Sequence, residues 1–284
     1  MATPLLPQPS AGRVAVCIPV YKREPEKDEE LTLRRCARVM GRHPIVFFAP
    51  ETLELSPYRQ WIPTAGEERF APEYFDGISG YNRLLLSREF YDRFRNFEYI
   101  LIHQLDAWTF RDELEAWCAR EFDFIGAPFA SPLPCGPRLL PGNGGFSLRR
   151  VEAFRRLLTP GAGFMFRPEY SALLLACQLR QRRAVGTAVG ALRLVGIGNS
   201  RRFRMRIVAD GSRNEDMVFW EFSRRNSYGG LRMASVKDAW RFSWNSGYEP
   251  RRAAVMPLPF GCHGWNKKCR EAAFLRRKVL ETIG

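Results

Sequence analysis

The sequence lacks the marks of a metal-stapled, disulfide-stapled or membrane-spanning protein. Only three histidines occur in 284 residues. The seven cysteines, at positions 17, 36, 118, 135, 177, 262 and 269, are odd in number and scattered, without a Cys-x-x-Cys pair. Such spacing gives neither a zinc site nor a disulfide framework, and reads as reduced core thiols of a cytosolic protein. No apolar run approaches the roughly 20 residues that span a bilayer. The longest, residues 184–198, is broken by glycine and arginine. Residues 1–12 are proline-rich without a hydrophobic signal core, and read as a flexible N-terminus. No internal repeat or long low-complexity tract occurs. These absences predict a soluble or peripheral protein, cytoplasmic or at the inner face of the cell membrane.

Acidic residues are also scarce, 30 against 44 lysines and arginines, for a net charge of +14. A basic balance suits an anionic membrane surface, an acidic small substrate or nucleic acid. Arginine is densest at residues 180–183 and 201–206. No zinc-finger spacing, homeodomain-like helix or aromatic RNA-binding signature accompanies it, so specific nucleic-acid binding is not expected. A solvated basic face and a membrane contact stay open. Hydrophobic residues make up 45% of the chain and aromatics 13%, enough for a full core in one large α/β domain.

Apolar runs at 14–20, 44–49, 99–103 and 122–127 read as buried strands. Helical spacing at 28–40, 78–94, 112–120 and 151–158 alternates with them, and the first strand, helix and strand form a βαβ unit. Residues 51–77, punctuated by prolines, are expected to be irregular, and 131–142 a loop. A short strand is expected at 144–149, helices at 215–225 and 267–283, and strands at 231–236 and 255–258. Residues 161–211, where glycines interrupt the pattern, read as an insertion. The predicted class is α/β, with a mixed, mainly parallel central sheet flanked by helices. It forms one domain over 13–284, with a donor-side half to about 130 and an acceptor-side half beyond.

In open α/β sheets ligands bind beyond the carboxyl ends of strands. Two such ends carry suggestive residues: Pro19, Val20 and Tyr21 after the first strand, and His103-Gln104-Leu105-Asp106 after the strand at 99. An Asp just past a buried strand can hold a hard cation, which in turn binds diphosphate oxygens. It can equally serve as a turn residue. His43 and His103 read as structural.

From this point a resemblance carries the reading. The 99–108 stretch resembles the strand leading to the Asp-x-Asp motif of GT-A glycosyltransferases, with Gln104 in place of the first Asp and Asp106 matching the second. Asn143-Gly144-Gly145-Phe146-Ser147 resembles the Gly-Gly segment that follows in those enzymes. A turn selecting Asn and Gly is the plainer alternative. Asn214-Glu215-Asp216 resembles the Glu-Asp helix start of inverting families. Phe260-Gly261-Cys262-His263-Gly264-Trp265 resembles their C-terminal His segment. With Tyr81-Asn82-Arg83-Leu84-Leu85-Leu86-Ser87, these segments resemble, in order, a family of largely uncharacterised bacterial glycosyltransferase-like domains.

The resemblance implies a metal site of Asp106 and His263 for Mn²⁺ or Mg²⁺. It implies donor binding by Pro19, Val20, Tyr21, Asn82, Ser87, Gln104, Leu105, Asp106 and Lys267 or Lys268, and acceptor binding by Asn143, Gly144, Gly145 and Trp265. Asp216 is the implied base, with Glu215 orienting the acceptor or exchanging roles with it. The implied partners are a nucleotide-sugar donor and a glycan or lipid-linked glycan acceptor, and the implied setting is bacterial surface polysaccharide assembly. Gln104 keeps alive a non-catalytic sugar- or nucleotide-binding relative. Charge alone supports the weaker reading of a nucleic-acid-binding protein.

Overall fold

A computed structural model of the chain describes residues 13–130, 139–159, 214–225, 230–248 and 253–283. The expected flexible N-terminus, most of the proline-rich loop, and the stretch 161–211 with its arginine clusters lie outside the described residues.

The expected βαβ unit consists of β1 (Val14–Pro19), α1 (Lys27–Met40) and β2 (Ile45–Pro50). Every residue of β1 is buried, as befits a parallel strand covered on both faces. α1 opens on a capping box between Glu26 and Glu29 and buries Leu33, Cys36 and Met40 along one stripe. Beyond β2 come α2 (Ser56–Arg59), β3 (Gly66–Phe70), α3 (Gly77–Leu85), α4 (Arg88–Arg93) and β4 (Tyr99–His103). Then follow β5 (Ala107–Thr109), α5 (Leu114–Cys118), β6 (Phe124–Gly126), the small ribbon β7 (Phe129–Ala130) with β8 (Leu139–Leu140), β9 (Phe146–Arg150) and α6 (Val151–Leu157). The last part holds α7 (Glu215–Arg225), α8 (Val236–Phe242), β10 (Ser243–Asn245), β11 (Gly261–His263) and α9 (Ala273–Leu280).

The main sheet has the order β3-β2-β1-β4-β9-β6. Its first four strands are parallel, and β9 runs antiparallel to both β4 and β6. This is the mixed, mainly parallel α/β sheet that the sequence predicts. Alternation along the strands splits the core between its two faces. Val14, Val16, Ile18 and Leu101 join one cluster, and Ala15, Cys17, Ile100 and Ile102 the other. The chain leaves β1 for β2 on one side, and β4 fills the other side. The carboxyl ends of β1 and β4 therefore flank a topological switch point.

Several expectations are corrected. The single helix expected over 78–94 is two, because the Ser87 side chain accepts the Phe90 N–H and caps a new helix there. The irregular stretch 51–77 contains edge strand β3. Residues 231–236 make only an isolated bridge at Met233, after which Ser235 caps α8, a helix that was not expected. Residues 255–258 form no strand; the strand lies just beyond, at β11. Among the described residues no helix is long and apolar enough to cross a membrane.

Candidate active site

Strand register brings the motif residues together. β4 pairs with β9 so that His103 faces Phe146, and one step further the Gln104 N–H donates to the Gly145 carbonyl at 2.9 Å. β5 pairs with β11, placing Ala107 opposite His263 and His263 next to Asp106. β10 lies parallel to β11, with Asn245 beside His263. Gly264 turns the chain out of β11 at φ +76°, a conformation suited to glycine, and its N–H donates to the Asp106 carbonyl at 2.8 Å.

The His263 ring is thereby enclosed by oxygen. Nε2 lies 3.1 Å from Gln104 Oε1 and 3.1 Å from Asp106 Oδ1, while Nδ1 lies 3.0 Å from Asn245 Oδ1. With its proton on Nδ1, toward the Asn245 carbonyl, the ring offers the Nε2 lone pair to a cation; with its proton on Nε2 it donates to Gln104 and Asp106. Gln104 Oε1, Asp106 Oδ1 and His263 Nε2 thus converge, an arrangement served by a proton on Nε2 or by a cation shared among them. Two oxygens and an imidazole nitrogen suit Mn²⁺ or Mg²⁺ in chemistry. Among the described residues no group of three or more His, Cys, Asp and Glu could hold a metal; here the third donor is a carboxamide. Burial pushes the Asp106 carboxyl up, but His263, Lys267 and a backbone N–H more than offset this and hold it below the ordinary range. Lys267 Nζ stands 3.9 Å from Asp106 Oδ2.

A cleft of about 600 Å³ opens at these strand ends. Pro19 at the end of β1 and Tyr21 just past it line the cleft, with Ile78 and Tyr81 from α3, Gln104, Leu105 and Asp106 just past β4, and Asn266 and Lys268 beyond β11. Tyr21 is 54% exposed and Ile78 73% exposed, leaving two large apolar surfaces available at the cleft.

A second cluster adjoins the first through two glycines. A Cβ on Gly145 would lie 2.1 Å from His263 Nε2 and 2.7 Å from Gln104 Oε1. One on Gly144 would lie 2.0 Å from Glu215 Oε1. Neither glycine has a positive φ; that conformation falls on Gly142. Close approach, rather than a turn, is what requires glycine at 144 and 145. Asp216 Oδ2 accepts the Gly144 N–H at 3.2 Å and Oδ1 the Met217 N–H at 2.7 Å. Burial, and then the charge of Glu215, push the Asp216 carboxyl up to about 7. Glu215 is buried against Arg149, with Nη2 2.9 Å from Oε1.

The remaining candidates fall elsewhere. Trp265, expected on the acceptor side, is fully buried. Its indole N–H donates to Thr32 Oγ1 at 3.1 Å, and its ring meets Trp108 edge-on. Val20 is buried, with its N–H donating to the Phe48 carbonyl. Asn82 is buried and accepts the Glu215 N–H at 3.3 Å, so it supports the start of α7 rather than lining the cleft. Ser87 is the α4 cap and lies outside the cleft lining, as do His263, Gly144, Gly145, Glu215 and Asp216, which reach it through Gln104 and Asp106. Asn143 Oδ1 accepts the Gly145 N–H at 3.3 Å and shapes the glycine segment. His103 is enclosed between Thr109 and the Gln104 carbonyl, and burial pushes it down to about 4, a neutral structural ring as expected. Sequence alone assigns no role to Asn245 or Arg149. Nothing in the sequence marks Asn245 until the pairing of β10 with β11 is known.

The fold and site together give an α/β sheet with a cleft at a switch point, lined by Gln104 and Asp106, which meet His263, and a buried carboxylate pair, Glu215 and Asp216, joined to them through Gly144 and Gly145. The chain belongs to a family described as protein of unknown function, DUF5672, which matches residues 65–263, more than half of its length. No curated protein matches it in sequence. Among solved structures it is similar to core-mannan synthase A from Aspergillus fumigatus in its Mn/GDP form. That alignment has 10% identity and a TM-score of 0.41, over 54% of this chain and 63% of that one. The chain thus spans less than two thirds of the mannan synthase chain. A glycosyltransferase involved in glycosylation of the major capsid of PBCV-1 aligns at 10% identity and a TM-score of 0.38, over 95% of this chain and 100% of its own. A197 from STIV aligns at 8% identity and a TM-score of 0.28, over 54% and 72% respectively.

Proposed function

We propose that the protein is a glycosyltransferase of GT-A type that moves a sugar from a nucleotide-diphosphate donor to a hydroxyl of a glycan or lipid-linked glycan, with inversion. The observation that carries this reading is the convergence of Gln104 Oε1, Asp106 Oδ1 and His263 Nε2 at the cleft, joined through Gly144 and Gly145 to the buried Asp216. Gln104, Asp106 and His263 would hold a divalent cation, which would supply electrostatic neutralisation of the diphosphate leaving group. Lys267 and Lys268 add positive charge on the same side. Asp216 accepts the acceptor hydroxyl proton as the new oxygen–carbon bond forms at the sugar. The bond to the diphosphate breaks, and its electron pair leaves with the phosphate oxygen. A base with proton affinity near neutral pH suits that work. The setting that fits the sequence resemblance and the net charge of +14 is surface polysaccharide assembly in a bacterium, with the protein peripheral on the cytoplasmic face of the membrane.

A panel of nucleotide sugars, tested for thermal stabilisation with and without Mn²⁺ and then for transfer, examines the reading directly. Asp106→Ala and Asp216→Asn should fold and lose transfer; full activity in both sinks the assignment. Gln104 favours one rival, a non-catalytic nucleotide-sugar binder, because a carboxamide brings no charge to the cation. Stabilisation by a nucleotide diphosphate with no turnover of any donor supports that rival.

A further inference from the structure

Arg149, on β9, is a charged side chain that the protein encloses completely, at 0% exposure. Its guanidinium lies 5.3 Å from the ring centre of Phe124 and 5.7 Å from those of Phe154 and Phe219. An apolar residue would fill such a place at less cost, since a buried ion pair is weak support for stability. Its hydrogen bonds show a different use. Nε donates to Ser147 Oγ at 3.0 Å, Nη1 to Tyr91 Oη at 2.9 Å, and Nη2 to Glu215 Oε1 at 2.9 Å and the Gly144 carbonyl at 3.4 Å. One planar fork therefore grips the glycine segment and the start of α7 together. The residue after Glu215 is Asp216, whose carboxylate accepts the Gly144 N–H.

We propose that Arg149 is a positioning residue, which fixes the Glu215 carboxylate, and through it Asp216, against the Gly144–Gly145 backbone. The proposal rests on the glycosyltransferase reading for its catalytic consequence but not for its geometry. The groups that act on Asp216 are Glu215 on its own helix and Arg149 from β9. Tyr81 from α3 and Tyr91 from α4 face the same guanidinium.

Two variants of the full chain test it. Arg149→Lys keeps the charge and loses the planar fork. Arg149→Met combined with Glu215→Met replaces the pair by apolar side chains, a change that buried pairs commonly tolerate. Amide exchange at Gly144 reads the Asp216 contact directly, with melting temperature, kcat and donor KM measured alongside. In Arg149→Lys, exchange at Gly144 should quicken about tenfold or more and kcat fall about tenfold, with donor KM and cooperative melting retained. The double variant should melt cooperatively and lose transfer. Parental exchange and kcat in Arg149→Lys, or transfer retained by the double variant, overturn the proposal. If the parent transfers no sugar, only the glycosyltransferase reading fails, and exchange at Gly144 still decides the positioning role.

Discussion

Asp216 is subject to opposing influences. Two backbone N–H groups favour its ionised form, while burial and the neighbouring Glu215 favour the proton, and the proton wins up to about pH 7. The linkage follows from the raised value. Neutral Asp216 contributes stability that is fully present below its ordinary value of 3.8 and is lost as pH rises through about 7. Readying the base thus costs the fold. Transfer should fall about tenfold per pH unit below neutrality, as the base takes up its proton. Glu215→Gln removes the like charge and should move that acidic limb to lower pH; an unmoved limb in a pH–rate profile refutes the coupling. Asp216→Asn should lower kcat on the order of 10²–10⁴-fold with the fold intact, as read by single-turnover kinetics and circular dichroism. Gly145 makes a second test at this scale. Gly145→Ala drives a methyl into His263 and Gln104, at 2.1 and 2.7 Å, and should abolish Mn²⁺-dependent nucleotide binding in calorimetry. The Asp216 cluster sits on the Gly144 side and should keep its amide protection.

At the level of elements, the sequence made legible what local pattern and chain order determine. The buried run of β1, the stripe of α1 and the apolar β4 each announce themselves by period or by continuous burial. The Asp106 and His263 segments were legible through resemblance. What was not legible depends on pairing between distant segments. His263, on β11, lies 159 residues beyond Gln104 in sequence, yet the register of β11 against β5 and β10 gives it its neighbours. Trp265 went to the core because a ring next to a candidate ligand looks alike in sequence whether it faces a sugar or Trp108. Sequence alone gives Arg149 no role until α7 is placed over it. Ser87 shows the same limit. Its hydroxyl accepts the Phe90 N–H at 3.2 Å and donates to the Leu84 carbonyl at 2.7 Å, so its work is to restart the helix. Ser87→Ala should cost about 1 kcal/mol in chemical denaturation and leave the donor KM unchanged. A raised KM with unchanged stability would return Ser87 to the donor site.

For the whole molecule, the cation-type set and the cleft predict a particular linkage. Gln104 and Asp106 lie on the connection from β4 to β5 and His263 on β11, so a ligand bridging them ties that connection to β11. Such a ligand binds the folded chain and not the unfolded one. A nucleoside diphosphate with Mn²⁺ at a hundredfold excess over its Kd should stabilise the fold by about 2.7 kcal/mol, or on the order of 5 °C in melting temperature for a chain of this size. Either component alone should give much less, because the cation has only one carboxylate here and the diphosphate needs the cation to offset Asp106. EDTA should remove the shift, and Asp106→Asn should abolish it. Rising salt should weaken the effect only modestly, since the partly buried donor set is screened less than surface charge. A nucleic-acid partner recognised through the +14 net charge would behave differently, with affinity falling steeply with salt whatever the state of Asp106. Melting curves of the parent and Asp106→Asn, with and without Mn²⁺ at two salt concentrations, separate the two. A nucleotide effect indifferent to Asp106 removes the cation site from the proposal.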